Sequence, residues 1–262
     1  MTGILPIKKY GIHSALNMFN EFTMISAGHL SEFVDFTESE VQFLCERYKT
    51  DFLLCKRWYD GYQTDRVNSI YNPRSVNQCV LQGKFGSYWT QTETYKALKE
   101  YIDMNFDDLK EGIISLLTGI NGDSLEINTS TFDNDMSTFH TRDDVLTLLI
   151  HLGYLSYDFR TKTVRIPNQE IIEEFKAVIT SENHLQQLFT IIQDSKNLLT
   201  SLLNGGSDAF ANGIAKAHYA TSILQYNDED ALAYTISLAL YAAQASYTIY
   251  RELPELVKAM LI

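Results

Sequence analysis

Apolar residues recur at helical spacing along most of the chain, and only short stretches alternate as strands do. Leu16, Phe19 and Phe22 predict a helix over Ser14–Met24. Thr37-Glu38-Ser39-Glu40 is a capping box: a hydroxyl opens the helix and a carboxylate three residues on bonds back to the free amide. The helix it starts runs through Val41, Leu44 and Tyr48. A second covers Leu53–Tyr59 and is broken by Asp60-Gly61-Tyr62. Tyr71-Asn72-Pro73-Arg74-Ser75 reads as a turn into a helix through Val76 and Val80, followed by a loop at Gly83–Gly86. Further helices are predicted over Tyr95–Asn105 and Asp107–Leu117. Ser124–Phe132 is rich in Ile, Thr and Phe and reads as a strand. Thr141-Arg142-Asp143-Asp144 opens a helix through Leu152, with Gly153 as its C-cap. Tyr154–Phe159 and Val164–Pro167 form a hairpin around Arg160–Thr163, and Asn168 caps a helix through Val178.

Beyond His184 the pattern is helical to about Leu203. Asn204-Gly205-Gly206-Ser207-Asp208 has linker composition. Helices over Phe210–Tyr219 and Asp228–Ala245 follow, the second capped by Asn227. Thr2–Ile7 and Tyr247–Leu253 have strand patterns. These elements predict a mainly α fold with small β elements, that is, an α+β protein. The boundary between its halves falls near 180–205.

Helix, strand, helix and hairpin over 106–167 is the order of a winged-helix module. Charge argues against that module reading DNA. The chain carries 21 basic and 33 acidic residues, a net charge of −12. Residues 100–150 hold eleven Asp or Glu against Lys110 and Arg142 alone. Phosphate neutralisation needs Lys and Arg on one surface, so no tight duplex DNA binding is expected. Arg160, Lys162 and Arg165 on the wing are the contrary signal. Cys45, Cys55 and Cys79 lack CxxC spacing and read as free thiols. With no signal-peptide pattern in Met-Thr-Gly-Ile-Leu-Pro and no long apolar run, this predicts a cytoplasmic protein with no membrane partner.

Catalytic constellations are hard to find. A phosphate loop needs GxxxxGK[ST], but the only Gly-Lys, Gly83-Lys84, is followed by Phe85 and has Gln78 in place of the first glycine. His13, His29, His140, His151, His184 and His218 show no zinc-site pairing, and there is no GxSxG elbow. Glu174-Phe175-Lys176 has the Glu-x-Lys spacing of a magnesium nuclease. It falls mid-helix, where the two charged side chains leave on different faces. No catalytic, cofactor or metal residue is therefore expected.

Several phrases occur together in order: Thr2-Gly3-Ile4-Leu5-Pro6-Ile7-Lys8-Lys9, Ser14-Ala15-Leu16-Asn17, Trp58-Tyr59-Asp60-Gly61-Tyr62, Tyr71-Asn72-Pro73-Arg74-Ser75 and Tyr88-Trp89-Thr90-Gln91-Thr92. In this the chain resembles a bacterial AAA-ATPase-like family in which an ATPase module precedes a PD-(D/E)XK nuclease-like domain. Ser222–Asp228 and Tyr247–Pro254 look like the opening of that nuclease domain.

The resemblance implies three parts: the back of the ATPase core with a helical lid over 1–105, a winged-helix module over 106–180, and the first layer of the nuclease-like fold over 207–262. Family members carry Walker segments before the Thr-Gly strand, and Asp and Glu-x-Lys strands after Arg-Glu-Leu-Pro. The chain therefore reads as a shortened member without either active site. Thr2 would match the polar sensor position. Trp58, Tyr59, Asp60, Gly61 and Tyr62, with Tyr71, Asn72, Pro73, Tyr88 and Trp89, match family motifs of unassigned role; an aromatic corner packing two helices is their plain reading. The expected function is non-catalytic, through protein interaction. The alternative is ATP binding or nucleic-acid processing only within a full-length or split assembly. The apolar helix Asp228–Ala245 predicts either intramolecular packing of 207–262 onto the winged-helix region or self-association; a full-length relative is the other partner expected.

Overall fold

The computed structural model describes residues 20, 22–89, 93–104, 106–119, 123–132, 139–181, 183–222 and 235–247. The chain divides into two compact units. One comprises Met1–Leu117 with Asp123–Val178, the other Thr118–Gly122 with Ile179–Ile262. Helices dominate both, and the strands are short, which makes the fold mainly α with small β elements.

After a 3-10 turn at Gly28–Leu30, the first unit has three helices: α1 (Glu38–Tyr48), α2 (Phe52–Tyr59) and α3 (Pro73–Gln82). Local chemistry opens each one. The Glu40 carboxylate accepts from the Thr37 amide and hydroxyl, both at 2.8 Å, as the capping box predicts. Asp51 accepts from the Leu54 amide at 2.9 Å. Asn72 accepts from the Arg74 and Ser75 amides, and Pro73 sits at a first-turn position where no N–H is needed. The three helices share a core of Val41, Cys45, Cys55, Tyr59, Tyr71, Val76, Cys79 and Val80, all buried. Burying a large apolar side chain this fully stabilises by roughly 1.5–3 kcal/mol. A small antiparallel pair, β1 (Phe36–Thr37) and β2 (Ile70–Tyr71), closes the group, with Phe36 opposite Tyr71.

α4 (Glu93–Asp103) and α5 (Leu109–Thr118) follow, separated by a 3-10 turn over Phe106–Asp108. Then come β3 (Leu125–Glu126), α6 (Arg142–His151), β4 (Ser156–Asp158) and β5 (Thr163–Arg165). The three strands form one antiparallel sheet in the order β3-β5-β4. This is the helix, strand, helix, hairpin order expected from the sequence. α7 (Gln169–Ser181) is capped by Asn168, which accepts from the Ile171 amide at 3.1 Å.

Several elements depart from the sequence pattern. The strand expected over Ser124–Phe132 is only two residues long, because Asn128 accepts from the Ser130 amide at 3.1 Å and turns the chain. Tyr154 and Leu155 do not belong to the hairpin: both amides bond back to the Leu149 carbonyl and finish the preceding helix. Phe22–Met24 are not helical, since the Thr23 hydroxyl accepts from the Ile25 and Ser26 amides in a local turn.

The second unit holds α8 (Asn183–Leu203) and α9 (Ser207–Ser222) packed on each other. Its Asn204–Asp208 stretch is no linker but a tight turn, with the Gly206 amide bonded to the Ser201 carbonyl at 2.8 Å. The expected helix Asp228–Ala245 is broken. Residues 235–239 are helical, Leu240 leaves helical geometry at φ −103°, and a 3-10 turn spans Tyr241–Ala245. The Ser195 hydroxyl, buried on α8, accepts from the Ala242 amide at 3.2 Å and fixes that turn. Asp228–Tyr234, the strand Thr2–Ile7 and the strand Tyr247–Leu253 lie wholly or almost wholly outside the described residues. Among the described residues, no helix is long and apolar enough to cross a membrane.

Candidate functional site

The described motif residues come from three separate stretches, 58–62, 71–73 and 88–89, and the fold of the first unit gathers the aromatic ones with Asp60 and Gly61 around one joint. α2 delivers Trp58 and Tyr59 and stops at Asp60. Trp58 is half-buried against the three-helix core. Tyr59 is fully buried; its phenol donates to the Gly86 carbonyl at 3.0 Å and accepts from the Gly86 amide at 3.2 Å. It stacks on Phe85 at 6.4 Å and leans on Tyr88 at the same distance. The α2 end is thereby tied to the loop after α3.

Asp60 terminates the helix and organises the turn behind it. Its Oδ1 accepts from the Gly61 amide at 2.7 Å and the Ser69 hydroxyl at 2.8 Å, and Lys56 lies 3.8 Å from Oδ2. Burial pushes its carboxyl above the usual aspartate range, against the pull of those donors. Lys56 also pairs with Glu38 at 2.7 Å, and that bond holds the Glu38 carboxyl below its ordinary value. Both partners of that pair are well exposed, so it adds little to stability.

Gly61 and Tyr62 reach across to the sheet. Gly61 has φ +121°, and a Cβ built on it would lie 1.9 Å from the Pro167 carbonyl oxygen. Only glycine fits this crossing. Arg165 on β5 donates to the Gly61 carbonyl at 3.0 Å. Tyr62 is buried and donates its phenol to the Gly153 carbonyl at 2.7 Å. Its backbone pairs with Ile70, which leads into Tyr71. Tyr71 is wholly buried in the core beside Val76 and Cys79.

Trp89 closes the joint from the third stretch. Its ring stacks on Tyr62 at 6.5 Å and meets Tyr154 edge-on at 6.3 Å. Gly153, at φ +81°, makes room for it: a Cβ there would come within 2.7 Å of the indole. Tyr154 continues the aromatic contact to Phe175 on α7. Glu170, in the first turn of α7, is buried. It accepts from the Ser75 hydroxyl at 3.0 Å and the Tyr88 amide at 2.6 Å.

Sequence reasoning missed the far side of this joint. Gly153 was legible as a helix cap but not as the seat of an indole. Glu170 looks like an ordinary acidic first-turn residue, and nothing in its neighbours signals burial. Thr2 lies outside the described residues. Glu174 and Lys176 sit on α7 as expected. Glu174 is half-buried and accepts from the Ser87 hydroxyl, while Lys176 is exposed beside Glu173.

The three thiols gather in the helical core. Cys45, Cys55 and Cys79 are buried and free, and burial raises all three above the ordinary thiol range. Among the described residues, no group of His, Cys, Asp and Glu has the arrangement of a metal site. Two open grooves are apolar. One, of about 360 Å³, is lined by Phe36, Ser39, Glu40, Phe43 and Leu44. The other, of about 390 Å³ in the second unit, runs along α9 between Phe210, Ile214 and Ile236. Neither contains a residue of the motifs.

No protein-family model matches the chain, and neither the curated proteins nor the solved structures contain a match.

Proposed function

We propose that this chain is a non-catalytic structural and docking part of an AAA-ATPase-like, nuclease-like protein, its first unit combining a helical lid with a winged-helix module. The observation that carries the reading is how the motif residues are used. Tyr59, Asp60, Gly61 and Tyr62 bond to Gly86, Ser69, Arg165 and Gly153, and Trp89 is wedged between Tyr62 and Tyr154. Groups occupied in this way fix one part of the unit against another; they are poor candidates for binding a substrate.

A DNA-reading role for the winged-helix module finds little support. The helix that would enter a major groove in that motif is α6. Its residues Asp144–His151 are buried without interruption. Arg165, one of the three basic wing residues, is turned onto the Gly61 carbonyl. Docking to another protein, a second copy or a full-length relative, suits the exposed apolar residues Phe33, Phe43 and Leu53 better.

Thermal unfolding with and without magnesium-ATP tests the reading, together with turnover assays for ATP and nucleic acid in magnesium or manganese. The expected result is no shift and no turnover above blank. A nucleotide-dependent rise in unfolding temperature, removed by mutating one named residue, would overturn it.

A further inference from the structure

Glu170 ties several segments of the first unit together from a nearly solvent-free position; its exposure is 1%. A first-turn carboxylate is favoured by the helix dipole, but an exposed one would serve equally well. Its donors are both neutral: the Ser75 hydroxyl on α3 and the Tyr88 amide. Among the described residues no Lys or Arg pairs with it. The titratable groups around it are Cys79 from α3, Tyr59 from α2, Tyr62 from the crossing, Tyr88 from the loop and Glu174 from its own helix. The tyrosines and the thiol stay neutral at and below neutral pH, and Glu174 adds only negative charge. An ionised carboxyl so placed has given up water without gaining a cation.

We infer that Glu170 is a proton-operated clasp, a carboxyl that binds and releases a proton inside the folded chain and changes its grip on residues 86–89 as it does so. In the ionised form it holds an amide and a hydroxyl through charge-assisted bonds, which are about twice as strong as neutral ones. In the acid form the carbonyl oxygen still accepts, but the charge is gone and one oxygen becomes a donor. Burial places the proton uptake above the ordinary glutamate range, the donors opposing it only in part. The change is transmitted because Tyr88, whose amide the clasp holds, is followed directly by Trp89, which stacks on Tyr62 and fills the space over Gly153. Acidification therefore acts at the joint between the three helices and the sheet of the first unit.

The full-length chain labelled with carboxyl-13C glutamate gives a direct test between about pH 4 and about pH 8. The Glu170 carboxyl resonance should titrate with a midpoint above the ordinary glutamate value, while the circular dichroism stays constant. The Tyr88 and Trp89 amide shifts should move with the same midpoint. The chain has two tryptophans, so Trp58→Phe isolates Trp89, whose emission should show the same step. Glu170→Gln should abolish the amide and emission steps. If that variant does not fold, coincidence of the carboxyl and amide midpoints in the unmodified chain still decides. A Glu170 midpoint at or below the ordinary value, or a titration that leaves both amides and Trp89 unmoved, overturns the proposal.

Discussion

The Tyr62 phenol donates to the Gly153 carbonyl across 91 positions of sequence, at 2.7 Å and with both residues buried. This bond joins the end of the helical part of the first unit to the segment entering its sheet. Tyr62→Phe keeps the ring against Trp89 and removes only the hydroxyl, leaving a buried carbonyl without its donor. The expected loss is about 1–3 kcal/mol, read as a lower urea midpoint at unchanged slope. A variant as stable as the parent would mean that the carbonyl finds another donor and the bond is not a tie.

Glycine substitutions at the same joint should cost more. Gly61→Ala meets both a backbone φ of +121° and the Pro167 carbonyl at 1.9 Å, so the chain crossing must separate. Gly153→Ala also meets a positive φ, +81°, but its steric obstacle is the indole of Trp89 at 2.7 Å, a side chain that can shift. Strain of about 1–3 kcal/mol is common to both, and overpacking against fixed backbone adds a similar amount at Gly61 that a shift of the indole relieves at Gly153, so Gly61→Ala should lose more than Gly153→Ala. Thermal melts of the two variants, with Trp emission as a second probe for Gly153→Ala, check the order. Equal losses would contradict the ranking.

How far the sequence foretold this joint depends on how local each signal is. The α1 capping box, the Asn72-Pro73 start of α3 and the Asn168 cap of α7 were legible because each involves residues within three positions of each other. The strand at Leu125–Glu126 was overextended because Ile and Thr propensity masked the turn made by Asn128. The 204–208 stretch misled because glycine-rich composition serves a helix hairpin as well as a linker; only the bond from the Gly206 amide to Ser201 separates the two. Glu170 was invisible because its burial is created by Ser75, Tyr88 and Trp89, more than eighty positions away. The motif Trp58–Tyr62 could be seen, but its use as a joint required knowing what lies opposite.

The thiols should be inert in the folded chain. Cys45, Cys55 and Cys79 sit at 1%, 0% and 0% exposure, and burial keeps each protonated at neutral pH. The thiolate is the reacting species, so a disulfide reagent should label none of them in native buffer and all three in denaturant. Rapid labelling of one thiol under native conditions would show that the α1–α3 core opens locally.

Duplex DNA should bind no better than micromolar at physiological salt. α6 offers no free face, and only Arg160 and Lys162 remain exposed on the β4–β5 turn. Two cations on a chain of net charge −12 release too few counterions for tight non-specific binding. Arg160→Ala with Lys162→Ala should leave any residual binding unchanged in fluorescence anisotropy. Weakening by that pair, with a reduced salt slope, would make the β4–β5 turn a DNA contact.

Stability against pH should carry the mark of Glu170 with a definite sign. Its carboxyl is raised in the folded chain, so the folded state holds the proton more tightly than the unfolded one. The stabilisation from this group is complete below the ordinary glutamate value and is lost as pH rises through the folded value; above that it stays constant. Glu40 has the opposite sign: the Thr37 amide and hydroxyl lower its carboxyl, so its contribution is present above the ordinary value and lost as pH falls through the lowered one. Comparison of the parent with Glu170→Gln removes Glu40 and every other shared group from the balance. The stability of the parent relative to that variant should fall as pH rises from the ordinary glutamate range toward neutrality, then level off. Urea midpoints at a series of pH values measure this. A difference that grows in favour of the parent with rising pH would mean that the donors outweigh burial, and that Glu170 is held as a permanent carboxylate.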